Sequence, residues 1–196
     1  MSIKNEYISP IELFTKWFDE EKKISQTKHI SAVCLSTLGL DGFPNARFVS
    51  LKEIMDENFV ITTSFNSRKG LEISGNNKVA LTFWWKTTER QIRIQGIATK
   101  TPTSLAQKYF KERNLASQIV SCISNQGQES NAIESLEKEL EQQISQRQNV
   151  EVPADWGGYF ISPVRIEFMQ FKDTRFHDRK LYVKQENEWI CKQLQP

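Results

Sequence analysis

The chain has 196 residues, 38% of them hydrophobic and 26% charged, a balance that fits one globular unit with a core of its own. A formal net charge of +2, with basic residues scattered along the chain, excludes the electrostatic footprint of a nucleic-acid binder, and no apolar run reaches the length of a membrane span. Cys34, Cys122 and Cys191 form no CxxC spacing, which excludes a disulfide framework and a zinc site by spacing; with no signal-peptide-like apolar stretch at the N-terminus, the expected compartment is the cytoplasm.

Ser9-Pro10-Ile11-Glu12 reads as a helix start, with Ser9 as N-cap, Pro10 at the first helical position and Glu12 closing a capping box. Ile11, Phe14 and Phe18 give this helix an apolar face as far as about Lys22. Residues 31–38 read as a strand, Gly39-Leu40-Asp41-Gly42 as a turn, and 44–51 as the second strand of a hairpin. Strands follow over 59–64, 79–85 and 91–99, the last alternating strictly, as a sheet with one wet face requires. Thr101-Pro102 opens a helix to about Arg113, and a short helix is expected near Ser117. Residues 129–146 form a polar helix with a narrow stripe of Ile133, Leu136, Leu140 and Ile144. Strands over 157–162, 164–171, 180–184 and 189–193 bring the count to about nine strands and four helices. The order is mostly antiparallel, without repeats or linkers. It predicts a single α+β domain, mainly β, over residues 1–196: a Greek-key or split barrel with peripheral helices. GxGxxG and GxxxxGK[ST] are absent, so side chains would have to bind any phosphorylated ligand.

Four segments carry groups suited to phosphate. Asn66-Ser67-Arg68-Lys69 follows a strand and opens a helix; it is either an anion site, where free amides, the dipole and two cations meet, or an ordinary capped helix. Arg47 shares a strand face with Val49 and Leu51, with Lys52 at the strand's end; an arginine among apolar neighbours needs a partner, and this segment alone favours a carboxylate. Tyr109, Arg113 and Ser117 lie at i, i+4 and i+8 and would project from one side of a continuous helix, unless Asn114 breaks it. In Arg175-Phe176-His177-Asp178-Arg179, period-two alternation would put Arg175, His177 and Arg179 on one face, an arrangement that calls for an anion there. His29 has no such company and receives no role.

These segments, in this order, resemble the pyridoxamine 5′-phosphate oxidase family. The most specific block is Ile166-Glu167-Phe168-Met169-Gln170, then Arg175 to Arg179, ending in Leu194-Gln195-Pro196; Glu89-Arg90-Gln91 and Trp156-Gly157-Gly158 are further family blocks. The resemblance runs from about Ile11 onward. It implies an FMN-binding split barrel, a homodimer with two flavins at the subunit interface. FMN would meet Arg47, Lys52, Thr62, Thr63, Arg68, Lys69, Gln91, Gln126, Met169 and Arg179. Substrate phosphate would meet Lys52, Tyr109, Arg113 and Ser117, with Arg175 and His177 over the substrate ring as the catalytic pair. The implied reaction is oxidation of pyridoxamine or pyridoxine 5′-phosphate to pyridoxal 5′-phosphate, with O2 reduced to H2O2. No metal, nucleic-acid or membrane partner is implied. Departures border the substrate: Met169 stands where the family usually has a Trp, Phe171-Lys172 where glycines are typical, and Gly127 where a hydroxyl residue often stands. The N-terminus is also short for the family's arm. They leave open a related flavin oxidase acting on another aromatic compound, of the phenazine-pathway type, or a non-catalytic binder of flavin, haem or pyridoxal phosphate.

Overall fold

The computed structural model describes residues 8–146 and 150–196. The first seven positions, where the N-terminal arm was weighed, lie outside the described residues.

Alternating apolar side chains build the wall of a barrel. In β1 (Ala32–Leu38), Val33, Leu35 and Thr37 are buried while their neighbours are not. In β5 (Arg90–Lys100), Ile92 and Ile94 turn inward and Arg93 and Gln95 outward, as their alternation predicts. With β2 (Pro44–Met55), β3 (Asn58–Ser64), β4 (Lys78–Trp85) and β6 (Trp156–Gln170), these form an antiparallel sheet in the order β3-β2-β1-β4-β5-β6. The first half of β6 returns to pair with β3 from Phe59↔Ile161 to Ser64↔Trp156, which closes the six strands into a barrel. Its second half pairs with β7 (Asp178–Gln185), which pairs with β8 (Glu188–Leu194), so a two-strand wing extends from the closed barrel.

Helix α1 (Pro10–Ile24) begins as the sequence predicts, with the Ser9–Glu12 capping box formed. It packs against the barrel core through Phe14, whose ring lies 4.9 Å from Phe59 and 5.1 Å from Phe83, both edge-on. Truncating that fully buried ring leaves a cavity among aromatic neighbours that cannot collapse into it. Phe14→Ala is expected to cost about 3–5 kcal/mol, read as a lower urea midpoint at unchanged slope. Helix α2 (Arg68–Gly75) follows β3 and is capped by Ser67, whose hydroxyl accepts from the Gly70 amide. Helices α3 (Thr103–Lys111), α4 (Leu115–Ile123) and α5 (Ile133–Gln146) connect β5 to β6. No described residue of α5 is buried, in keeping with a polar helix docked by one face. Among the described residues, no helix is long and apolar enough to cross a membrane.

The described residues hold eight strands and five helices rather than about nine and four. Two expected strands merge into β6, which runs through Pro163. Proline lacks an amide hydrogen, but it sits where the pairing to β5 slips, between Gln95↔Arg165 and Gly96↔Pro163, so no ladder bond is lost and the strand continues. The additional helix is α2; the two helices expected after Thr101 are α3, which ends at Lys111, and α4, where the Asn114 side chain accepts from the Ser117 amide as N-cap, so no continuous helix aligns Tyr109, Arg113 and Ser117. A side chain that caps a new helix also ends the old register.

Candidate active site

β2 turns Phe48, Ser50 and Lys52 away from the barrel interior, and α4 stands over this outer face. Between them opens a cavity of 500 Å³ whose walls include Lys52, Thr62, Thr63, Lys69, Arg113, Ser117 and Gln126. Seven of the expected site residues thus share one space. At one end the Lys69 ammonium donates to Gln126 Oε1 at 2.9 Å and to the Thr63 and Ser67 hydroxyls at 3.2 Å each. Elsewhere on the wall Arg113 donates to Ser121 Oγ at 2.7 Å, and its guanidinium lies 4.4 Å from the centre of the Trp156 ring. Desolvation, then the neighbouring Arg113 charge, push the Lys52 ammonium below the usual lysine range; desolvation and Arg47 do the same to Lys69. Among the described residues, none of Lys52, Lys69 and Arg113 forms an ion pair with a carboxylate. Three partly desolvated cations facing one cavity without an ion-pair partner make a site for an anionic ligand.

Arg47 and Arg68 are placed differently. Arg47 shares its face of β2 with Val49 and Leu51, and its partner is a carboxylate: Glu72 Oε2 accepts from it at 2.7 Å. Arg68 reaches the other oxygen of Glu72 at 2.9 Å, and Asp41 at 2.8 Å. Thr37 and Asn45 each donate to the same carboxylate at 2.6 Å. Burial alone would raise the Glu72 pKa, but the hydrogen bonds from Thr37, Arg68, Asn45 and Arg47 outweigh it and hold the group down at about 2. Reading the sequence alone missed Glu72. Its one local signal is the Arg68–Glu72 spacing of four within α2.

The remaining site residues lie elsewhere. Gln91, Met169 and Arg179 form one cross-strand row, Gln91↔Met169 on β5–β6 and Met169↔Arg179 on β6–β7. Arg179 is braced by the buried Glu167, at 2.6 Å from Nη2 and 3.0 Å from Nε, and by the Gln195 carbonyl. Arg175 and His177 sit in the turn between β6 and β7, not in a strand. Arg175 has φ 66°, so the alternation expected to align Arg175, His177 and Arg179 does not apply there. His177 Nδ1 accepts from the Lys172 amide at 3.1 Å, which leaves the proton of a neutral ring on Nε2. The His177 ring also lies 4.7 Å from Phe171, which meets Trp84 at 5.0 Å. Tyr109 is buried, and its hydroxyl donates to Glu53 rather than lining the cavity. Thr62 pairs with Gly158, eleven residues before Met169 on β6, on the order of 36 Å of extended strand.

The cavity's donors fit a flavin mononucleotide. It combines hydroxyls and cations that lack an ion-pair partner, which suit a phosphate, with the side-chain amide of Gln126. Comparison with known proteins agrees. Residues 20–147 match the family model described as pyridoxamine 5′-phosphate oxidase, and residues 156–196 match the pyridoxine 5′-phosphate oxidase C-terminal dimerisation region. A pyridoxine/pyridoxamine 5′-phosphate oxidase of Flavobacterium johnsoniae is 36% identical over 188 residues, 94% of this chain and 88% of the relative. One of Leptospira biflexa is 39% identical over 189 residues, 95% and 89% of the two chains. In three dimensions, PhzG of Burkholderia lata 383, solved in complex with tetrahydrophenazine-1-carboxylic acid, superposes with a TM-score of 0.91 at 26% identity, over 98% of this chain and 95% of that one. Strand β6, which opens the second matched region, closes the barrel made by the first. The chain belongs to the pyridoxamine 5′-phosphate oxidase family and is an oxidoreductase.

Proposed function

We propose that the protein is a cytoplasmic homodimer that oxidises pyridoxamine or pyridoxine 5′-phosphate to pyridoxal 5′-phosphate. The C4′ carbon gives up two electrons and O2 becomes H2O2; the amine substrate also takes up water and releases ammonia. The observation that carries this reading is the pair Lys52 and Arg113, two cations without an ion-paired carboxylate that line one cavity, in a chain matched along nearly its whole length by relatives bearing that name. The unpaired Cys34, Cys122 and Cys191 support a reducing compartment.

Bound FMN would supply two-electron redox chemistry between the C4′ carbon and O2. Lys69, Thr62, Thr63 and Gln126 hold it from the cavity side, with Lys52 between cofactor and substrate and with Arg47 and Arg68 kept in place by Glu72. Gln91, Met169 and Arg179 complete the cofactor site. Lys52, Arg113 and Ser117 take the substrate phosphate, and Tyr109 joins them if its hydroxyl leaves Glu53. Arg175 and the His177 Nε2–H fix the substrate ring. Because the two groups of residues stand so far apart along β6, the reading assigns them to different copies, meeting at the dimer interface.

A second reading is oxidation of a reduced phenazine carboxylic acid. The cluster of Trp84, Phe171 and His177 favours it, since it offers a broad aromatic surface beside the β6–β7 turn. The two separate in one assay: H2O2 release in air from FMN-loaded protein given each compound. Release with pyridoxamine or pyridoxine 5′-phosphate and not with the phenazine supports the first; the reverse order overturns it.

A further inference from the structure

Arg113 is held in an unusual way. It lies in the break between α3 and α4, where α3 has ended at Lys111 and Asn114 caps the next helix. A side chain on such a break is free to swing, and no carboxylate among the described residues forms an ion pair with it. Its two nearest side-chain contacts nonetheless fix it, with the Phe110 ring farther off at 5.9 Å. The guanidinium lies over the indole of Trp156 at 4.4 Å, and Nη1 donates to Ser121 Oγ at 2.7 Å, while Ser121 itself donates to the Ser117 carbonyl at 3.0 Å. Trp156 is rigid in turn. It begins β6 opposite Ser64, its amide donates to the Pro153 carbonyl, and Phe110 meets its ring at 5.4 Å. Trp156, Ser121 and Arg113 all face the cavity that holds Lys52.

We propose that Trp156 is a positioning residue for Arg113. Its ring is the plate on which the guanidinium rests, and Ser121 fixes the rotation about that plate, so that the remaining N–H donors face a phosphate on Lys52. An aromatic face attracts the cation without neutralising it, whereas a carboxylate would cancel the charge that the phosphate needs. The inference deepens the proposed function and rests on its assignment of Arg113 to substrate phosphate.

The test uses FMN-loaded protein and three variants, Trp156→Leu, Trp156→Phe and Ser121→Ala, with flavin content as the check on folding. Two readouts are taken for each: the dissociation constant for inorganic phosphate, and kcat and KM for pyridoxamine 5′-phosphate. Trp156→Leu is expected to weaken phosphate and raise KM about tenfold, with kcat within about twofold. Trp156→Phe keeps an aromatic face and should lose less than about threefold. Ser121→Ala leaves the packing of β6 alone and should raise KM about threefold, so it carries the test even if the leucine variant fails to fold. Equal phosphate affinity and equal KM in Ser121→Ala and the parent protein, or a fall in kcat without a rise in KM, overturns the inference. Phosphate affinity that depends on Trp156 in a protein that oxidises no B6 phosphate would sink the substrate reading and leave Trp156 in its role. Full turnover with a KM indifferent to Trp156 would do the opposite.

Discussion

Arg175→Ala is expected to leave the protein yellow and folded while turnover falls about 100-fold, the scale on which loss of substrate alignment is felt. The structure separates the two effects. Arg175 is exposed in the β6–β7 turn; its amide donates to the Lys172 carbonyl at 3.0 Å, and among the described residues its side chain forms no ion pair. Alanine tolerates φ 66° no better and no worse than arginine does, so the turn keeps its backbone cost and stability should move by less than about 0.5 kcal/mol. Flavin absorbance after gel filtration and the rate of H2O2 release measure the two sides. Loss of flavin would reassign Arg175 from substrate to cofactor.

Glu72→Ala is expected to be the most destabilising single change at the site. The side chain is fully buried and accepts from Thr37, Asn45, Arg47 and Arg68. Removing one partner of a buried pair strands the other, here Arg47, at a cost of about 3–5 kcal/mol. The lowered pKa makes a second prediction. A carboxylate held at about 2 when folded, against 4.5 when free, contributes stability that is complete above about pH 4.5 and is lost as the pH falls towards 2. The shift corresponds to about 3 kcal/mol. Glu72→Gln, close to Glu in shape, should remove that acid-dependent part, so its urea midpoint should fall less than the parent's between pH 4.5 and 2. A parallel decline in the two proteins would mean that other carboxylates govern acid unfolding.

The parts of this fold that were legible are those in which one residue's environment repeats along the chain. Alternation in β5, and the capping box of α1, report burial and end signals that need no distant partner. Pro163 misled because a proline reads as a strand break unless the neighbouring strand slips beside it, and that slip belongs to the pairing of β5 with β6. Arg175, His177 and Arg179 were aligned by a strand period that begins only at Asp178. The candidate site was legible as blocks in order, which is why Lys52, Lys69, Arg113 and Ser117 could be named together before their shared cavity was seen. Glu72 was not, nor was the contact of Trp156 with Arg113, because these contacts are long-range. Glu72 meets Thr37, Asn45 and Arg47 from 35, 27 and 25 residues away, and nothing near it in sequence announces three partners.

The central claim is that this flavin protein takes its electrons from a B6 phosphate, and the most direct measurement is anaerobic mixing of the FMN-loaded protein with pyridoxamine 5′-phosphate. The account predicts that the yellow absorbance bleaches, and that admitting air restores it with one H2O2 and one pyridoxal 5′-phosphate formed per flavin. A solution that stays yellow under excess substrate, with the flavin still bound, would contradict it.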